Sequence, residues 1–230
     1  LDPLASGKLL VLIGDTCKAK DRYLSLDKAY DFSLVFGLAS DSGDTLGLVS
    51  NHPMRIVPDT TIAAAFRECV GSLTLPYPAY SAKPVAGTPL HTWAATGRLA
   101  EIDIPTTTTT IYQLQLRHTE TVTRDGIYQH AMAMISSIPP VTELRKALGN
   151  DFRRPAITAQ WQKWYEAAPA DASFTLAHGH LWCSSGTYVR SLAAYIGAQC
   201  GSAALAWSIH RNRIGRYRQL GPLRYFWPSF

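Results

Sequence analysis

Three side chains in this 230-residue chain could do chemistry together, although they lie far apart in the sequence: Asp2, Tyr30 and Arg190. A guanidinium beside a carboxylate favours its charged form, and a charged carboxylate can act as a nucleophile or a base. An aromatic ring beside that pair can hold a planar group by stacking. Each residue alone also fits a structural role: Asp2 as a helix cap, Tyr30 as a core aromatic, Arg190 as a solvent-facing cation. Chemistry therefore requires a fold that brings the three together.

The residues around Tyr30 have the alternating pattern of a strand. Large apolar side chains recur there at every second position: Tyr30, Phe32, Leu34 and Phe36. This spacing predicts a strand with one apolar face, followed by an Asp- and Gly-rich turn at residues 40–47. Closer to the N-terminus, the continuous apolar run at residues 8–13 predicts a second, buried strand.

Arg190 lies in the segment with the most complete pattern, residues 173–201. An apolar strand reaches Cys183, a Ser-Ser-Gly-Thr turn follows, and the pattern then predicts a helix capped by Thr187 that ends near Gly201. Arg190 falls in the first turn of this helix, where the macrodipole disfavours a cation by a few tenths of a kcal/mol. We therefore expect an anion beside Arg190, either a carboxylate or a phosphate.

The rest of the sequence predicts alternating strands and helices, with no internal repeat. Asp59 can cap a helix, and the β-branched residues 106–110 extend a strand. The pattern changes over residues 119–172, where helices are expected at 143–148 and 155–168. The chain is long enough for one large domain with a real core.

The charge balance favours a polyanionic partner, because 22 Lys and Arg outnumber 17 Asp and Glu and the pI is about 9.1. Cations and aromatic rings alternate near the C-terminus: Arg211, Arg213, Arg216, Arg218 and Arg224 with Trp207, Tyr217, Tyr225, Phe226 and Trp227. Guanidinium groups bind phosphates and flat rings stack on bases, so the segment fits a nucleic-acid surface. It fits equally well a solvated face over the edge of an aromatic core.

Metal, disulfide and membrane classes are disfavoured by the sequence. The four cysteines lie far apart without a CxxC pair, which indicates reduced thiols in a cytoplasm. His178, His180 and Cys183 have ligand types, but a fourth ligand at the usual spacing is missing, so we interpret them as positions of one strand. No run approaches the roughly 18 apolar residues of a membrane span.

Seven motifs occur together in the order and approximate spacing of one family. They are LDPLASG at 1–7, TCK at 16–18, DKAYDF at 27–32, SDSGDTLG at 40–47, YPAYSAKPVAG at 77–87, CSSGTYVRSL at 183–192 and IHRNRIGRY at 209–217. On these motifs the chain resembles the catalytic domain of the TruB-type pseudouridine synthases, the bacterial tRNA pseudouridine-55 synthases. The first and the sixth motif are the most specific.

The resemblance implies an α+β fold, with a large mixed, mostly antiparallel sheet flanked by helices. It also implies isomerisation of the uridine at position 55, in the T-arm loop of tRNA, to pseudouridine, without cofactor or metal. Asp2 matches the family's catalytic aspartate, Tyr30 the tyrosine that stacks on the target base and takes part in proton transfer, and Arg190 the arginine paired with the aspartate. Substrate contacts are expected at three further positions: Lys18, Tyr188 and Ile209. The expected partner is tRNA, and the expected state is a cytoplasmic monomer.

These residue types suit the implied reaction. The carboxylate of Asp2 could attack the sugar or the base, or remove a sugar proton, and the sequence leaves these routes open. The detached base must rotate without escaping, so the ring of Tyr30 and the apolar wall of Ile209 are suitable neighbours. We expect Asp2 and Arg190 to meet in space, on either side of a pocket sized for one nucleobase.

The sequence departs from the family at both ends and in the middle. The segment before Leu1 and the appended C-terminal RNA-binding domain are missing, so residues 1–230 are expected to be an N-terminally incomplete catalytic domain. Residues 119–172 are expected to be a helix-rich insertion. Its basic residues could contact phosphates or form an ordinary solvated helix face: Arg145, Lys146, Arg153, Arg154 and Lys163.

Two other functions remain open at this point. The chain could be a noncatalytic RNA-binding or tRNA-folding module, if the missing N-terminal part is a real deletion. It could also be a hydrolase that uses Asp2 with Asp41 or Asp44, although this hypothesis leaves Arg190 and the basic C-terminal segment without a role.

Overall fold

The computed structural model describes residues 2–53, 56–139, 153–221 and 223–227. Its strands are Ala5–Gly7 (β1), Asp27–Phe36 (β2), Leu38–Ser40 (β3), Val49–Asn51 (β4), Gly71–Pro76 (β5), Pro84–Val85 (β6), Thr88–Pro89 (β7), Thr106–Thr123 (β8), Ser173–Cys183 (β9), Ala204–Leu220 (β10) and Leu223–Trp227 (β11). Seven of these strands form one sheet in the order β1-β10-β2-β9-β8-β5, with β11 paired to β10. Only β1 and β10 run parallel within this sheet. The predicted mixed, mostly antiparallel sheet is confirmed.

Helices lie on both sides of the sheet, as the fold class requires. The α-helices in the described residues are Lys20–Leu24 (α1), Asp59–Glu68 (α2), Leu90–Ala95 (α3), Arg124–Ser137 (α4), Arg154–Ala167 (α5) and Val189–Gln199 (α6). Two short 3₁₀-helices, Gly14–Ala19 and Leu99–Glu101, complete the set. No helix among the described residues has the length and hydropathy needed to cross a bilayer.

Two hydrophobic cores, one on each face of the sheet, hold these layers together. On the face that we call the front, Phe32 of β2 packs with Phe66 of α2 and Leu192 of α6. On the back face, Val35 of β2 packs with Trp161 of α5 and with residues of α4. Strand β2 is therefore buried on both faces at its C-terminal half, which agrees with its apolar sequence.

The apolar run at residues 8–13 is not a buried strand, so that prediction is wrong. Strand β1 ends at Gly7, and residues 8–13 have no regular secondary structure. The side chains of Leu9 and Ile13 are 64% and 80% exposed. An apolar run becomes a strand only where a neighbouring strand accepts its backbone hydrogen bonds, and β1 pairs with β10 through three residues only.

Gly7 ends β1 in a conformation that favours glycine. Its φ is +103°, and a Cβ atom placed there would lie 2.3 Å from the carbonyl oxygen of Arg211 in β10. We expect Gly7→Ala to lower the free energy of unfolding by about 1 to 3 kcal/mol or more, because both strain and collision act there. Urea unfolding measures the change.

A control for this substitution is Gly14→Ala. Gly14 also has a positive φ, +62°, but nothing lies within 4 Å of a Cβ atom placed there. Equal losses of stability in the two variants would contradict the collision at Gly7.

The segment 119–172 is helix-rich, although its first part differs from the prediction. Strand β8 continues to Thr123, and α5 agrees to within one residue with the helix predicted at 155–168. The helix predicted at 143–148, with Arg145 and Lys146, lies outside the described residues.

The basic residues of α5 and its N-cap have mixed roles. Arg153 binds the carboxylate of Asp41 at 2.5 Å, and Arg154 donates hydrogen bonds to backbone carbonyls, including that of Ile135 at 2.8 Å. Lys163 is exposed. Two of the described cations therefore stabilise the fold.

Candidate active site

Asp2 and Arg190 form a direct pair, although 188 positions separate them. The Nε atom of Arg190 donates to Oδ2 of Asp2 at 2.8 Å, and Nη2 donates to Oδ1 at 2.8 Å. Such a two-point contact fixes the plane of the carboxylate as well as its position. The anion that the sequence predicts beside Arg190 is thus the side chain of Asp2.

Arg190 lies in the first turn of α6, and its side chain is buried. Its side chain is 3% exposed, and its remaining hydrogen bonds go to the carbonyls of Ser42 at 2.8 Å and Tyr80 at 3.1 Å. The predicted cap is wrong: Tyr188 is the N-cap of α6, and the hydroxyl of Thr187 donates to the carbonyl of Ser184 instead. Without a side-chain cap, the start of α6 depends on its neighbours.

The turn before β1 holds Asp2. The backbone N–H of Ala5 donates to the carbonyl of Asp2 at 2.8 Å, and β1 then pairs with β10, with Ala5 opposite Ile209. The side chain of Asp2 is 25% exposed, so solvent reaches part of the carboxylate. Two strands that lie far apart in sequence therefore fix the acid.

A second carboxylate, that of Asp44, also lies near Arg190. Its Oδ2 is 3.7 Å from Nε of Arg190, and its Oδ1 accepts hydrogen bonds from the Ser42 hydroxyl at 2.6 Å and the Leu46 N–H at 2.9 Å. Burial raises the pKa of Asp44, and Arg190 and Ser42 act against that rise. The side chain is only 4% exposed, which fits a role in holding Arg190.

Tyr30 lies on the front face of β2, directly opposite Arg211 of β10. It belongs to the front core and is 8% exposed. Arg211 is also buried, at 9%, and its Nε donates to the carbonyl of Lys8 at 2.8 Å. Sequence analysis missed Arg211 as a site residue because it grouped all the C-terminal arginines together. Arg211 lies two positions after Ile209, and in a strand this spacing places both side chains on the same face. That spacing could have distinguished Arg211 from the other arginines.

The three predicted substrate-binding residues lie in different environments. Ile209 is buried opposite Phe32, and Tyr188 is half-buried against the ring of Tyr77, at 5.5 Å between centroids. Lys18 is exposed on the 3₁₀-helix Gly14–Ala19 and pairs with Asp15 at 2.7 Å. The fold brings Ile209 and Tyr188 to the elements that carry Asp2 and Arg190, whereas Lys18 lies on a separate surface segment.

A cavity of about 370 Å³ borders Arg190, but Asp2 and Tyr30 are not among its lining residues in the described part of the chain. Its lining includes Tyr77 and Tyr195. Asp2 and Arg190 therefore meet by direct contact and not across the nucleobase pocket that the sequence led us to expect.

No group of three or more potential ligands among the described residues could hold a metal ion. His178 contacts Ser33 at 2.8 Å and Glu120 at 3.0 Å, on the back face of the sheet. His180 pairs there with Asp31, whereas Cys183 is buried in the front core.

The hydroxyl of Tyr30 gives a test that depends on pH. Burial raises its pKa above the ordinary value of 10.0, and the nearby Arg211 acts against the rise. Because the folded state favours the neutral phenol, Tyr30 contributes stability below pH 10.0 that is lost as the pH rises further. We expect the stability of Tyr30→Phe to fall less steeply than that of the wild type above this pH, as measured by urea unfolding. Tyr225→Phe, at an exposed ring, is the control, and identical curves for wild type and Tyr30→Phe would contradict the burial effect.

The structure thus places a carboxylate held by a buried arginine beside a large mixed sheet, with a buried tyrosine on one face of that sheet. Residues 1–131 match the family model described as TruB family pseudouridylate synthase (N terminal domain). The chain belongs to this family.

Two curated proteins similar to this chain are both named as tRNA pseudouridine synthases. The chain is 32% identical over 116 residues to tRNA pseudouridine synthase B of Caldicellulosiruptor saccharolyticus, covering 50% of this chain and 40% of the relative. It is 27% identical to tRNA pseudouridine synthase 4 of Saccharomyces cerevisiae, covering 93% and 61%. A solved chain of a Cbf5-Nop10-Gar1 complex aligns with 94% of this chain and 38% of its own length, at 14% identity and a TM-score of 0.49. The chain thus spans 40% to 61% of the length of these two curated relatives.

Proposed function

We propose that this chain isomerises the uridine at position 55, in the T-arm loop of tRNA, to pseudouridine. The observation that carries the proposal is the contact between Asp2 and Arg190 beside the buried ring of Tyr30. Membership of the TruB family and the names of the relatives support the reaction and the RNA class. The net charge of +5 supports a polyanionic substrate. We further propose that the protein acts as a cytoplasmic monomer, without a cofactor or a metal.

The reaction breaks the bond between N1 of uracil and C1′ of the ribose and joins C5 to C1′. The proton on C5 is released and N1 takes up a proton, so the product is an isomer of uridine. Asp2 is the residue placed to take part, by attack on the sugar or the base or by removal of a sugar proton. Arg190 orients the carboxylate and is a positioning residue. A uridine inside a folded loop reaches this site only when it is flipped out of its stack.

Tyr30 and Ile209 suit the step in which the free base turns. Both lie on the front face of neighbouring strands, and both are buried. An aromatic ring holds a planar base while allowing it to rotate about the normal to its plane. We propose that Tyr30 stacks on the target base and that its hydroxyl takes part in proton transfer.

We also propose that residues 119–172 are an insertion in the catalytic domain. Helices α4 and α5 of this segment cover the back face of the sheet, with Ile127 and Trp161 in its core. The candidate site lies on the front face, so we infer that these two helices contribute to stability.

Release of tritium from C5 tests the reaction. A tRNA labelled with tritium at C5 of uridine is incubated with the protein, and one equivalent of tritium per molecule is expected in the solvent. The same tRNA with cytidine in place of uridine 55 should release none from that site.

The other two hypotheses give different outcomes in this assay. RNA binding without tritium release would indicate the noncatalytic module and overturn the proposal. Strand or sugar cleavage would indicate the hydrolase. Asp44 is buried and Asp41 is bound by Arg153, so neither is free to act with Asp2.

A further inference from the structure

The C-terminal hairpin formed by β10 and β11 extends past Asp27, the first residue of β2. The last residue of β10 that pairs with β2 is Gly215, and the pairing with β11 begins at Arg216. Residues directly opposite each other in a hairpin have side chains on the same face. Arg216 lies opposite Trp227, and Arg218 lies opposite Tyr225. Two arginines and two aromatic rings therefore share one face of the hairpin.

The other face of the hairpin packs on the sheet. The rings of Tyr217 and Phe226 contact Trp182 of β9, with centroid distances of 5.8 and 5.3 Å, and Tyr217 stacks on Tyr112 of β8 at 4.3 Å. The backbone N–H of Tyr217 also donates to Asp27 at 2.8 Å. These contacts fix the hairpin relative to the sheet.

The four residues lie on the front face, the same face as the candidate active site. Arg211 shares that face with Tyr30, and a bulge at Asn212 shifts the alternation so that Arg216 returns to it. Five residues separate Arg211 from Arg216, which is about 15 Å along a strand. The hairpin is thus too far away to touch the target base and near enough to contact nucleotides beside it.

The chemistry of this face fits RNA. The side chains of Trp227 and Tyr225 are 63% and 42% exposed, and Arg216 and Arg218 are also exposed. Within the part of the chain that the structure describes, neither arginine side chain has a hydrogen bond or an ion pair with the protein. Residues 216–227 contain three arginines and no acidic residue, so the surface is complementary to a polyanion.

We propose that this front face of the hairpin binds the tRNA on the strand that flanks the target uridine. Arg216 and Arg218 contact phosphates, and the rings of Tyr225 and Trp227 stack on unpaired bases. The proposal rests on the proposed function, because it assigns the hairpin to the same substrate. It also divides the basic segment: Arg211 is buried beside Tyr30, Tyr217 and Phe226 belong to an aromatic core, and the remaining face binds RNA.

A pair of arginine substitutions tests the phosphate contacts. Arg218→Gln removes a charge from the front face, whereas Arg224→Gln removes one from the opposite face, because Arg224 lies opposite Gln219. Binding of a T-arm stem–loop RNA is measured by fluorescence anisotropy over a series of KCl concentrations. We expect Arg218→Gln to reduce the slope of log K against log[KCl] by about 0.7 and Arg224→Gln to leave it unchanged. Equal slopes in the two variants would overturn the proposal.

Substitutions at Tyr225 test the stacking. Tyr225→Ala is expected to weaken RNA binding by roughly fivefold or more, and Tyr225→Phe, which keeps the ring, should bind like the wild type. Unchanged affinity in Tyr225→Ala would overturn the stacking and would favour a protein partner for this face.

These experiments distinguish a failure of the hairpin proposal from a failure of the proposed function. If the wild type binds the RNA but releases no tritium, the proposed function fails while the two slopes still decide the role of the hairpin. If the wild type releases tritium and Arg218→Gln binds as Arg224→Gln does, only the hairpin proposal fails.

Discussion

Asp2→Asn is expected to abolish tritium release, with a loss of roughly a thousandfold or more, because every route open to Asp2 requires a carboxylate. RNA affinity is expected to stay within about twofold of the wild type, since the group acts on the reacting atoms and not on the bulk of the substrate. The side chain keeps its size, and its amide oxygen can still accept one hydrogen bond from Arg190. Single-turnover tritium release and RNA anisotropy measure the two quantities.

The matched control for this prediction is Asp15→Asn. Asp15 is also an aspartate near the N-terminus, but it is 93% exposed and pairs with Lys18 on the surface. We expect it to release tritium at the wild-type rate. An Asp2→Asn protein that kept a tenth or more of the wild-type rate would contradict the assignment of Asp2, provided that its circular dichroism matched that of the wild type.

The contact between Asp2 and Arg190 could be anticipated because local physics and the motifs agreed. A cation in the first turn of a helix needs an anion, and the helix at Arg190 was evident from its apolar spacing and the turn before it. The resemblance of both motifs to one family then supplied the partner. The extra support from Asp44 was harder to foresee, because its distance from Arg190 depends on how the loop after β3 folds back onto β10.

The failures of prediction arise where a pattern has two physical outcomes. The run at residues 8–13 has the composition of a buried strand, but it has no regular secondary structure. Burial requires a neighbouring strand, and the composition of the run does not show whether one is present. Arg211 and Arg216 look alike in the sequence, and a bulge places both on the front face. Arg211 is a buried neighbour of Tyr30, whereas Arg216 lies beyond the last residue of β10 that pairs with β2 and is exposed. Periodicity identifies the faces of an element and does not identify what covers them.

Arg190→Met is expected to lower the free energy of unfolding by about 3 to 5 kcal/mol, as for other buried ion pairs that lose one partner. The change removes the cation between Asp2 and Asp44 and leaves the carbonyls of Ser42 and Tyr80 without their donor. Tritium release should fall with it, because the carboxylate of Asp2 is no longer held in one plane. Urea unfolding, followed by tryptophan fluorescence, gives the stability.

The dependence of this loss on pH distinguishes an electrostatic cause from a packing cause. Burial raises the pKa of Asp44 above its ordinary value even beside Arg190, so the folded state favours the protonated form more than the unfolded chain does. Stability from that group is present at low pH and is lost as the pH rises, and without Arg190 only the hydrogen bonds from Ser42 and Leu46 offset the loss. The deficit of Arg190→Met relative to the wild type should therefore be largest at neutral pH and smaller in acid.

Two further variants complete the test. Asp44→Asn in the Arg190→Met background should recover part of the stability at neutral pH, because it removes the buried charge, and it should not recover tritium release. Arg190→Lys keeps the charge but cannot reach both oxygens of Asp2 in one plane, so it should retain more stability than Arg190→Met and still release tritium slowly. A deficit that was constant with pH and unaffected by Asp44→Asn would show that Arg190 contributes to stability only by packing. The ion pair with Asp2 would then not be the reason why Arg190 is buried.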